Sequence, residues 1–264
     1  MTSGKRSKRL RAQSRVHTGS DAVDKLETRR RRTRLLVALA VAASAAGLGV
    51  GSEVAFGGSD SVAGGSGPAP IIDTGSVSVL GPLLQPPGQN DIGPEGIPIP
   101  DAPLLTNPDT DAVGAPVDQI SCDTTEQVVY HIHVHLTVFV DGSQRQIPFG
   151  IGIPDPQEES TPQGPFVVSG SCFYWLHTHS GDGIIHVESP TQRTYTLGQF
   201  FDIWGQPLSA TQVGPAIGTV VAFYNRRHYL SDPRDIPLTP HANVQLDVGS
   251  PLVGPITVSS WGHL

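Results

Sequence analysis

His131-Ile132-His133-Val134-His135-Leu136-Thr137-Val138-Phe139-Val140-Asp141-Gly142 is the stretch that decides the fold class. Ile132, Val134, Leu136, Val138 and Val140 alternate with His131, His133, His135 and Thr137. A period of two predicts a strand with one apolar and one polar face. Asp141-Gly142 predicts a two-residue hairpin turn. Ser143 to Ile147 then returns against Leu136 to Val140, and the histidine end of the strand is left to pair elsewhere.

Downstream, Cys172 to His179 and Ile184 to Glu188 flank a Ser180-Gly181-Asp182-Gly183 turn and predict a second hairpin. Thr219–Tyr224, Ala242–Val248 and Ile256–Trp261 are strand-like. One short helix is expected after Thr196. Thr196 and Gln199 suit a capping box, Leu197, Phe200, Phe201 and Trp204 recur at helical spacing, and Gly205 suits a C-terminal cap. These elements predict a mainly β domain over residues 120–264, a small β-sandwich or barrel with a short helical insertion.

The histidines carry the chemistry. Nine of the ten lie in this region, five of them in His131-x-His133-x-His135 and His177-x-His179, with His186-x-Glu188 nearby. Residues two apart in a strand share a face, roughly 6.5 Å apart. The second hairpin sets His177 opposite His186 and His179 opposite Ile184. His177, His179 and His186 therefore converge on one face, where cross-strand Cβ atoms are about 5 Å apart. That is a metal-ligating arrangement, which one of His131, His133 or His135 completes. Glu188 is a candidate ligand, ligand-orienting partner or general base. The competing expectation is a polar cluster on exposed strands. His228, His241 and His263 stand alone and read as ordinary residues. Residues 120–264 have no Met, and their two cysteines, Cys122 and Cys172, are expected to form a disulfide. Imidazole and carboxylate then suit Zn²⁺, Cu²⁺, Ni²⁺ or Fe²⁺ rather than Cu(I) or a blue-copper site, with Zn²⁺ or Cu²⁺ the expected ion. No GxSxG, Walker or dinucleotide-binding motif occurs. His186-Val187-Glu188 lacks the CxxC that a zinc deaminase needs.

Charge divides the chain. Residues 1–34 hold twelve Lys/Arg against three acids, and the remainder holds five Arg, no Lys and 21 acids. The run Arg29–Arg34 abuts Leu35 to Gly51, uncharged and mostly apolar. Residues 35–54 are expected to cross the plasma membrane once, with the basic tail cytoplasmic and the C-terminal part outside. Cleavage after a signal peptide is the rival, since Ala43-Ser44-Ala45 suits a peptidase. The tail reads as a solvated leader that sets topology, with attraction to anionic lipid as a second reading and no nucleic-acid partner expected. Residues 55–119, rich in Pro and Gly, are expected to be a disordered acidic linker.

The strings HIHVHLTVFVDG, IPFGIGI, CFYWLHTHSGDGIIHVESP and TLGQFFDIWGQPL resemble those of a group of uncharacterised exported or membrane-anchored bacterial and archaeal proteins. The resemblance covers about Tyr130 to Pro207. It implies export and a histidine-rich motif, and supplies no reaction. Three functional expectations follow: a membrane-anchored metal-binding module outside the cell, a metal-free structural or interaction module of the envelope, and a His-ligated metalloenzyme with Glu188 as base. No protein partner is indicated.

Overall fold

Alternation and turn chemistry act where the sequence places them. In the computed structural model, which describes residues 70, 72–88, 91–107, 112–262 and 264, the deciding stretch is one long strand, Tyr130–Val140. Asp141 and Gly142 both take positive φ, the geometry of a tight hairpin turn. Ser143–Arg145 returns antiparallel against Val138, Phe139 and Val140. The histidine end pairs instead with Ile184–Ser189.

Eight strands form the main sheet. In chain order they are β1 (Thr74–Gly75), β2 (Tyr130–Val140), β3 (Ser143–Arg145), β4 (Leu176–His177), β5 (Ile184–Ser189), β6 (Val220–Tyr224), β7 (Arg227–Tyr229) and β8 (Asn243–Val248). Their spatial order is β1-β7-β6-β8-β2-β5-β4, with β3 beside the second half of β2. Neighbours run antiparallel except β8 and β2, which are parallel. The sheet is open, so the expected barrel does not close. The fold is mainly β, with smaller two- and three-stranded ribbons around the main sheet.

The helix α1 (Leu197–Trp204) has the expected capping box between Thr196 and Gln199, and Gly205 ends it in the left-handed conformation. Its Leu197, Phe200, Phe201 and Trp204 pack with Ile132, Val134, Leu136 and Val138 of β2 in the main core. Beyond His131, the polar face of β2 is not exposed either. His133, His135 and Thr137 are all buried, so this strand is covered on both sides. Ile256–Trp261, expected as a strand, joins no ladder among the described residues. The side-chain amides of β8 replace the ladder there: Ile256 N donates to Gln245 Oε1 and Val258 N to Asn243 Oδ1.

The largest departure lies before residue 120. Parts of the expected linker pair with the folded region where they are described. Thr74 and Gly75 pair with β7, Leu84 bridges to Val253 and Leu104 to Gln146. Ile97, Leu105 and Ala112 are buried. Proline explains how such a segment can be ordered. It restricts the unfolded chain, so less conformational entropy is lost on docking, and a few isolated bridges suffice. The expected tail, 1–34, the apolar segment, 35–54, and His263 lie outside the described residues. Among the described residues no helix is long and apolar enough to cross a membrane.

Candidate metal centre

Three strands carry the centre. His133 of β2 lies opposite His186 of β5, which lies opposite His177 of β4. Three imidazoles therefore form one row across the sheet, and Glu188 lies opposite His131 one step along. The His177–His186 register is the expected one. His179 lies past the end of the ladder, held by other means. The Ile147–Ile153 segment runs beside it: Gly150 N donates to Thr178 O, Thr178 N to Ile151 O, and Tyr174 N to Gly152 O. A Cβ on Gly152 would lie 2.4 Å from Leu176 O, which is why glycine stands there. The Thr178 hydroxyl accepts from Ile151 N and donates to Pro148 O. His177 and His179 flank a residue that is locked on both its backbone and its side chain.

The tautomers of these two rings follow from their partners. His177 Nδ1 is 2.7 Å from Tyr174 O, and His179 Nδ1 is 2.7 Å from Val167 O. A carbonyl oxygen only accepts, so both Nδ1 atoms carry the proton. In the neutral rings each Nε2 then presents a lone pair, and the two Nε2 atoms face each other at 3.0 Å. A cation between them resolves this opposition. Burial first, then His179 and His186 beside it, hold His177 well below the ordinary 6.5, which disfavours a proton in that place.

His177, His179, His186 and Glu188, all buried, present one donor atom each within 4.8 Å of one another. His186 Nε2 is 2.6 Å from Glu95 Oε1. Its Nδ1, buried and without a hydrogen-bond partner, lies 3.4 Å from Glu188 Oε1. Burial disfavours the charged ring, but the carboxylates of Glu188 and Glu95 beside it outweigh that and raise His186 to about 9, so an ion held there displaces a ring proton. His131, His133 and His186 form a second such group. This His/Glu cluster can hold a metal ion. His135 is not part of it. Its Nε2 is 3.1 Å from Asp182 O, and it lines a separate cavity of about 190 Å³ with Thr137 and Asp182. His228 and His241 also belong to neither group, and His241 stacks on Trp261.

Two participants were not legible. Glu95 is 3 % exposed and contacts His186 from the segment expected as linker. Glu126 Oε1 lies 3.4 Å from His179 Nε2. Neither sits at a telling spacing from a histidine. The only sign at Glu95 is an acid inside the apolar run Ile92–Ile99. Glu95→Gln is expected to weaken metal binding about 10–100-fold by freeing the His186 ring. Competition against a chromophoric chelator would measure it, with circular dichroism reporting the fold.

The histidines also fix a pH dependence. Burial, followed by the charge of neighbouring histidines, holds His133 down to about 3, and burial holds His135 down to about 4. Both titrate near 6.5 when unfolded, so the unfolded chain takes up protons first and stability falls as pH drops from 6.5 toward 4. His186 has the opposite sign. Its contribution is full below 6.5 and is lost as pH rises through about 9. Metal-free protein should therefore be most stable near neutrality, a maximum that urea unfolding at about pH 5, 7 and 9 would reveal.

The chain matches no family model, no curated protein and no solved structure, so function is read from this geometry.

Proposed function

We propose that the chain is a metal-binding module that holds one divalent ion through His177, His179, His186 and Glu188, and that it works outside the cell on a membrane anchor. The observation that carries the reading is the facing pair of Nε2 lone pairs, with each ring locked by a backbone carbonyl. Two buried carboxylates, Glu95 and Glu188, add negative charge that a cation offsets. Imidazole and carboxylate donors suit Zn²⁺ or Cu²⁺. The anchor is supported by the basic tail before the apolar run 35–54. The Cys122–Cys172 disulfide fits an oxidising compartment.

A second reading, a His-ligated metalloenzyme, draws on the cleft of about 410 Å³ that opens over the cluster, lined by Glu95, Glu126, His133, His179 and Glu188. Metal analysis of the full-length chain beside a His177→Ala, His186→Ala variant tests both. Bound ion in the wild type, lost in the variant, supports the centre. No ion from any metal supplied at micromolar levels would leave a metal-free envelope module as the better account.

A further inference from the structure

Glu188 stands between two His-x-His pairs that present the same bite. On one side His177 Nε2 and His179 Nε2 are 3.0 Å apart. On the other, His131 Nε2 and His133 Nε2 are also 3.0 Å apart. An ion about 2.0–2.1 Å from both nitrogens of either pair would be held at roughly a right angle. The carboxylate divides its oxygens between the pairs. Oε1 is 3.0 Å from His131 Nε2, while Oε2 is 3.9 Å from His177 Nε2 and has no hydrogen-bond partner. His186 belongs to both donor groups. Register explains the symmetry: β5, which carries His186 and Glu188, is the middle strand, and β2 and β4 flank it.

We propose that the centre takes two divalent transition-metal ions, the second at His131 and His133, with the Glu188 carboxylate spanning both. This rests on the first ion being held as described above. The second position is the more open one, because the His131 side chain is 38 % exposed and both its histidines line the cleft. It is therefore the position that exchanges with solvent and fills last.

Zinc titration of the metal-free full-length chain, followed by calorimetry and by metal analysis after gel filtration, decides the matter. The expected result is two ions per chain, with His131→Ala, His133→Ala retaining one at unchanged affinity and binding the second at least tenfold more weakly. Manganese supplies an independent reading, as two ions sharing a carboxylate give an exchange-coupled resonance signal and one ion gives an isolated six-line signal. One ion in the wild type, unaffected by the double variant, overturns the dinuclear centre and leaves the single site standing. No ion in the wild type overturns both. Loss of every ion from a folded double variant means that the two pairs serve one shared site, which also overturns the proposal. Should that variant not fold, His131→Ala alone, at an exposed side chain, gives the count.

Discussion

Zinc present at a hundred times its dissociation constant is expected to raise the unfolding midpoint by roughly 5–10 °C, and His177→Ala should abolish the rise. An ion that binds only the folded state at that ratio contributes about 2.7 kcal/mol. For a body of this size each kcal/mol moves the midpoint by about 2–4 °C. His177 is the choice because it is fully buried and its ring is fixed from behind by Tyr174 O. Truncating it removes one donor and leaves the others misdirected. Differential scanning calorimetry with zinc, and again with excess chelator, measures the effect. A midpoint indifferent to zinc in the wild type would rule out zinc bound to the folded state.

The second large effect concerns Cys122 and Cys172, which form the expected disulfide with Cα atoms 5.4 Å apart at a sequence separation of 50. Closing a loop of that length restricts the unfolded chain by about 4 kcal/mol in the entropy model. Cys122→Ser with Cys172→Ser should therefore lower the midpoint by roughly 8–16 °C. The bridge also moors the approach to the centre. Cys122 and Asp123 pair with Tyr174 and Phe173, Asp123 accepts from Trp175 Nε1, and Tyr174 O holds His177. Zinc affinity should fall along with stability. A fall in the midpoint with affinity unchanged would show that the Ile147–Ile153 segment alone holds the histidines in place.

What could be read from the sequence was local. The alternation from Tyr130 to Val140, the Asp141-Gly142 turn, the His177–His186 register, the Thr196 capping box and the disulfide each follow from residues close in the chain or from cysteine chemistry. The parallel pairing of β8 with β2 has no such signal, because nothing in Asn243–Val248 names its neighbour. The fate of His135 was hidden for a related reason. It shares a face with His131 and His133, but only the register of β5 sets Ile184 opposite it. Glu95 escaped because a Pro/Gly-rich stretch shows no periodicity whether or not it docks. Ile97, fully buried beside it, is what tells the two cases apart in three dimensions.

The parallel contact between β8 and β2 also bears on how the molecule assembles. β2 finds β3 and β5 among residues near it in sequence, but its other edge waits for a strand roughly a hundred residues downstream, a separation that slows folding. Until β8 arrives, the histidine strand is an unpaired edge open to other chains. Any partly folded form that lacks β8 therefore leaves that edge of β2 unpaired.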